Sequence, residues 1–206
     1  MSNIETTEYK EFIQQIKQKA REAQIKASVR VNSTLIEFYW ELGREITQKE
    51  KTTNWGSGFL KKLSRDLMRD FPDIKGFSKR NLELIRKWYR FYSENSEIAK
   101  QAVSQLVLIP WGHNIAIMQK SKDLREALFY VQKTIENGWS RAVLVHQIES
   151  QLFERSGKAI TNFTHTLPKP QSDLANELTK DPYQFDFLTL REKHDERELE
   201  EELQIL

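Results

Sequence analysis

The chain has 206 residues, 38% hydrophobic and 30% charged, with 32 Lys and Arg against 30 Asp and Glu for a formal charge of +2. That length allows one sizeable core, and the absence of cysteine excludes disulfides, thiolate zinc sites and a cysteine nucleophile. No run approaches the roughly 18 apolar residues of a membrane span, and Met1-Ser2-Asn3-Ile4-Glu5 is too polar for a secretory signal, so a cytoplasmic protein with no membrane partner is expected.

The first periodic stretch runs from about Thr7 to Lys51. Tyr9, Phe12, Ile13, Ile16, Ala20, Ala23 and Ala27 recur at helical steps, followed by Leu35, Phe38, Tyr39, Leu42 and Ile46. This is one long helix or two, with a break near Asn32-Ser33-Thr34, because such residues favour caps over helix interiors. Thr52–Gly58 reads as a turn.

Two basic helices follow between Gly58 and Tyr92. In the first, Phe59, Leu60, Leu63, Leu67 and Phe71 form the apolar stripe, with Lys61, Lys62, Arg65 and Arg69 across from it. In the second, Leu82, Ile85, Tyr89 and Tyr92 oppose Lys79, Arg80, Arg86, Lys87 and Arg90. Ser57–Tyr92 holds ten Lys and Arg against Asp66, Asp70, Asp73 and Glu83, about +6, leaving about −4 for the remainder. Such polarised charge points to a phosphate partner, duplex DNA, although a solvated surface face is the bland alternative. Ser78 is placed to cap the second helix, with Phe77 and Leu82 as a hydrophobic staple. The pair resembles a helix-turn-helix, but the connection from Pro72 to Phe77 exceeds the usual 3–4 residue turn and suggests a looser tri-helical or winged variant. Trp88, Tyr89, Phe91 and Tyr92 are read as core in preference to base-stacking groups.

Downstream, Val103–Ile109 is an apolar stretch ended by Pro110-Trp111-Gly112-His113-Asn114. Helices are expected at about His113–Lys120 and Asp123–Asn137, with Gly138 at C′. Ser140 caps another, stapled by Trp139, whose stripe Leu144, Val145, Ile148 and Leu152 continues until Gly157. Leu106–Ile109 and Phe185–Leu190 are the two short runs that could be strands. Thr161–Tyr183 loosens into a linker or an arm packed on the helical body, with a short helix after Ser172-Asp173. Asp195–Leu206 reads as an acidic helix carrying Leu199 and Leu203. The expected fold is mainly α: a bundle with a long N-terminal helix and a basic helix pair over 1–157, a partly irregular arm over 158–190, and the acidic helix over 191–206.

The order of these motifs resembles the YhcG-type proteins, bacterial and phage-associated chains that join an N-terminal helical domain to a PDDEXK nuclease domain. The matching segments are NSTLIEFYWELGR (Asn32–Arg44), LSRDLMRDFPDIKGFSKRNLELIRKWYRFY (Leu63–Tyr92), PWGHN (Pro110–Asn114), IENGWSRAVLVHQIE (Ile135–Glu149), SDLANELTKDPYQFDFLTL (Ser172–Leu190) and ERELE (Glu196–Glu200). IENGWS and DPYQFDFL are the specific ones, since no generic helix requires them. Trp111, His113, Asn114, Gly138, Trp139, Ser140 and Arg141 are the motif residues the resemblance singles out. It implies a DNA-binding domain feeding a nuclease that needs a divalent metal. In such nucleases the Asp and Glu-x-Lys that hold the metal follow the acidic helix, and no such pair precedes Leu206. The expectation is an N-terminal domain plus the start of the next, with no catalytic residue, metal site or cofactor of its own.

Other chemistry is thinly represented. His113, His146, His165 and His194 lack ligand spacing, and Glu37, Glu41 and Glu45 form an acidic stripe without a basic partner cluster. His113-Asn114 is read as capping a helix, with a phosphate contact as the alternative. A second function class is a protein-interaction or oligomerisation module, with a homodimer through Tyr9–Ile46.

Overall fold

The computed structural model describes residues 7–53, 56, 58–93, 102–156 and 173–188, and every statement of structure below concerns these. Asn54, Trp55 and Ser57 of the predicted turn, the stretch 157–172 and the acidic segment Asp195–Leu206 lie outside them. All regular structure among the described residues is helical: α1 (Thr7–Thr52), α2 (Phe59–Asp70), a 3-10 turn (Lys75–Phe77), α3 (Lys79–Ser93), α4 (102–106), α5 (Trp111–Lys120), α6 (Leu124–Asn137), α7 (Arg141–Glu149), α8 (Leu152–Arg155), α9 (Asp173–Leu178) and α10 (Pro182–Phe187).

Neither run with strand potential forms a strand among the described residues, which hold Leu106–Ile109 of the first and Phe185–Leu188 of the second. Leu106 ends α4 and Val107–Ile109 form a turn, while α10 starts at Asp181, whose carboxylate accepts from the Tyr183 N–H at 2.8 Å, with Pro182 in the first turn. An N-cap carboxylate followed by Pro at N1 outweighs a short apolar run. The helix expected to run from Ser140 to Gly157 is two, divided at Gln151 with φ +55°.

Helix α1 does not break at Asn32. Its 46 residues span about 69 Å at 1.5 Å per residue. Asn32 is fully buried and donates through Nδ2 to the carbonyls of Val107 (2.7 Å) and Ile109 (3.2 Å), while its Oδ1 accepts from Gln184 Nε2 at 3.5 Å. Tertiary acceptors thus replace the local backbone bonds that make Asn a poor interior residue. Beyond it Leu35, Ile36, Tyr39 and Ile46 enter the core; before it no side chain of α1 is buried.

Helix α3 crosses α1 where Gly43 gives clearance. A Cβ there would sit 2.6 Å from Tyr89 Cβ and 3.0 Å from the Ile85 carbonyl oxygen. Leu82, Ile85, Trp88 and Tyr92 are the buried apolar positions of α3, beside the buried Asn81, with Tyr89 half-buried against Trp40. The apolar stripe is therefore rotated toward Trp88 relative to the sequence expectation. Trp111 joins this half to α5–α8, meeting Trp88 at 5.2 Å and Tyr39 at 4.8 Å edge to face. Its indole N–H donates to Asn81 Oδ1 at 2.8 Å, and Asn81 Nδ2 donates to the Gly76 carbonyl at 2.7 Å. Leu174, Ala175 and Leu178 of α9 are buried, and the Phe187 ring of α10 lies 5.8 Å from Phe38. Residues 173–188 of the predicted arm are thereby packed on α1.

Candidate nucleic-acid interface

Helix α2 buries Leu60 and Ser64, half-buries Phe59, Leu63 and Leu67, and leaves Phe71 exposed. Lys61, Lys62, Arg65 and Arg69 are exposed on its outer side. Lys61 and Lys62 have no carboxylate within ion-pair reach among the described residues. Arg65 lies 3.9 Å from Asp66, and Arg69 donates from Nε to Asp70 at 3.0 Å, which raises its already high pKa.

The cations of α3 divide. Lys79 pairs with Glu83 at 3.3 Å, Arg80 is exposed and its charge reaches Tyr183, and Lys87 is exposed with no carboxylate in reach among the described residues. Arg86 and Arg90 instead grip Glu50 near the end of α1, the latter through Nη2 to Oε2 at 2.6 Å. Arg86 is half-buried in that clamp. Glu50 lies 36 residues from Arg86, so helical spacing on α3 alone carried no sign of it. Two cations assigned to phosphate by spacing are thus engaged in joining α1 to α3. Ser78 Oγ accepts from the Asn81 N–H at 3.4 Å, as the cap predicted for α3.

The motif residues meet at a second place, a cleft of about 470 Å³ lined by Pro110, Gly112, His113, Ser140, Arg141 and residues of α9–α10. Asn114 is buried and donates to the carbonyls of Leu106, Ile109 and Pro110, closing the end of α4 and the following turn. It satisfies carbonyls at a helix end; the expected capping by this pair therefore falls to Asn114 alone. His113, also buried, places Nε2 3.1 Å from the Trp139 carbonyl and 3.5 Å from Glu177 Oε2. A carbonyl can only accept, so Nε2 carries the proton and Nδ1 is left without a partner among the described residues. Burial holds the imidazole pKa below its usual value.

Gly138 closes α6 in the left-handed conformation (φ +64°), and its carbonyl accepts from the Leu174 N–H at 3.0 Å. Ser140 caps α7 through the Val143 N–H, and Trp139 is half-buried between the two helices. The exposed Arg141 accepts no role in the core: its side chain lies over Gly112, and its backbone N–H donates to Glu177 Oε1 at 3.0 Å. Glu177 and Asp181 were not singled out from sequence. The available signal was that PWGHN, IENGWS and DPYQFDFL each demand more than a generic helix would, and all three converge here.

Burial pushes the Asp181 carboxyl up to about 6, against hydrogen bonds from the Tyr183 and Gln184 N–H groups. Between about pH 4 and 6 the folded chain keeps a proton on Asp181 that the unfolded chain has lost, so its contribution to stability falls as pH rises through that window. His113 acts oppositely, because the unfolded chain takes up its proton as pH falls below about 6.5. Asp181→Asn keeps a capping oxygen and removes the carboxyl titration. Relative to the parent, it should gain roughly 2 kcal/mol between pH 4 and 7, read from urea unfolding across that range. A difference independent of pH would show that Asp181 is not buried as an acid.

Residues 15–155 match the family model of the DUF1016 N-terminal domain. The chain belongs to this family. It is 25% identical over 207 residues to the Escherichia coli (strain K12) protein named "Putative nuclease YhcG", an alignment covering 84% of this chain and 54% of that protein. The chain therefore spans about half the length of the curated relative it matches. No solved structure matches it. Among the described residues no helix is long and apolar enough to cross a membrane, and no group of three His, Asp or Glu side chains could hold a metal ion. The divalent metal that the family resemblance implies thus finds no fitting donor set among the described residues.

Proposed function

We propose that this chain is a duplex-DNA-binding, targeting domain of a nuclease-type protein. The observation that carries the reading is the set of exposed cations, Lys61, Lys62 and Arg65 on α2 with Arg80 and Lys87 on α3, each on the side of its helix away from the buried stripe. The nuclease named in the relative supports a nucleic-acid partner. In this reading the chain holds DNA and the hydrolytic step is not its own. The carboxylates of the cleft have other work: Glu177 receives the Arg141 N–H and faces His113, while Asp181 caps α10.

Binding is expected to be weak and mainly non-specific, with phosphate contacts dominating. Five contacts give a log–log salt slope of about −4 to −5, so affinity should drop several hundred-fold between 50 and 200 mM salt. Fluorescence anisotropy on a labelled duplex of about 25 base pairs reads this directly. The Lys61→Glu/Lys62→Glu/Lys87→Glu variant should flatten the slope by about 3 without loss of fold, since all three are exposed and none is ion-paired among the described residues. Unchanged affinity and slope in that variant would place the interface elsewhere.

A protein-association role is the second reading. It is favoured by the exposure of Phe12 (54%) and Ile16 (45%) on α1.

A further inference from the structure

Taking 100° per residue, the buried positions of α1 from Asn32 to Ile46 lie within one arc. Tyr9, Ile13, Ile16, Ala20, Ala23 and Ala27 lie on the opposite arc at steps of 4, 3, 4, 3 and 4. That alternation is the seam of a two-helix coiled coil, and Phe12 widens it. The seam has a direction, with large residues in its first half and alanines in its second.

We infer that this face pairs with the same face of a second copy, antiparallel, about a centre near residue 18. Each layer then sets one large residue against one small: Tyr9 opposite Ala27, Ile13 opposite Ala23, Ile16 opposite Ala20. A parallel pair would oppose large to large and Ala to Ala, leaving the alanine half underpacked. The antiparallel arrangement also clears the rest of the fold. The partner's Asn32 falls level with position 4, beyond the start of α1, so the two bodies stand at opposite ends, about 42 Å apart along the axis.

The area suffices for a reversible dimer. Tyr9 is 44% exposed and Phe12 54%, so each offers roughly 100 Å² of a ~200 Å² side chain. With Ile16, the alanines and the Lys stems the loss is roughly 500–600 Å² per copy, just past the ~1,000 Å² total that marks a specific interface. Charge sets its salt response. Lys10, Lys17, Lys19 and Lys26 flank the seam, and antiparallel pairing brings Lys17 to Lys17 and Lys19 to Lys19 of the second copy, while Lys26 covers Phe12. Salt screens the like-charge contacts, so association strengthens as salt rises, opposite in sign to phosphate binding.

The test uses the full chain without DNA and is therefore independent of the DNA reading. Sedimentation equilibrium from 1 to 200 µM should show a monomer–dimer equilibrium that tightens from 0.1 to 0.5 M NaCl. Ile13→Asp/Ile16→Asp should sediment as monomer with its helical circular dichroism retained, because neither residue belongs to the core. The chain contains no cysteine, so orientation can be read by oxidation of an equimolar mixture of Ile16→Cys and Ala20→Cys variants. The mixed 16–20 disulfide is expected. Monomer mass at 200 µM, a dimer indifferent to the double Asp variant, or disulfides confined to 16–16 and 20–20 would each overturn the proposal; the first would fit a face covered by an acidic segment such as Asp195–Leu206.

Discussion

Asn81→Ala should cost roughly 3–5 kcal/mol of folding stability, a large share of the 5–15 kcal/mol typical of a domain. Asn81 is buried and stands between two others: its amide nitrogen donates to the Gly76 carbonyl and its oxygen accepts from the Trp111 indole. Truncation strands those groups in an interior where water does not replace the lost partner, at about 1–3 kcal/mol each. It also loosens the turn before α3, since Gly76 lies within the Lys75–Phe77 segment. Urea denaturation followed by Trp fluorescence measures the loss directly. A shift below about 1 kcal/mol would mean that these polar groups find other partners.

Gly43→Val should be comparably severe for a different reason. Even one added carbon meets Tyr89 Cβ at 2.6 Å and the Ile85 carbonyl at 3.0 Å, atoms fixed to the α3 backbone that cannot rotate away. The helices must separate, which opens gaps around Ile85 and Trp88 and pulls Arg86 and Arg90 from Glu50. Overpacking of this kind costs about 1–3 kcal/mol, and loss of neighbouring contacts raises it further. Thermal unfolding should show a lowered midpoint, and Gly43→Ala should fall between the two. A Gly43→Val variant with the parent midpoint would rule out a close crossing at this position.

Local signals carried much of the fold and little of the long-range pairing. Ser78, Ser140 and Gly138 act on groups within a few residues of themselves, and their helix boundaries follow from sequence. Asn32 shows the limit. Its amide is satisfied by carbonyls 75 and 77 residues away, so a residue suggesting a break locally instead anchors an unbroken helix. The same separation conceals the role of Arg86: its spacing on α3 is that of a surface cation, while Glu50 comes from α1. The cleft was visible only as three unusual motifs, because no spacing rule connects Pro110–Asn114 with Asp173–Tyr183.

One consequence of α1 concerns time. From Thr7 to Val31 the helix buries no side chain, whereas from Asn32 onward it is fixed in the core. A solvated helical segment of about 25 residues is only marginally stable alone. In the separated monomer, amide protons early in α1 should exchange through fraying at little free-energy cost, while those near Tyr39 await opening of the whole fold. A single continuous helix would thus carry a gradient of opening energies from near zero to the global value, and holding its early turns by any contact would lengthen the rigid part without creating a new element.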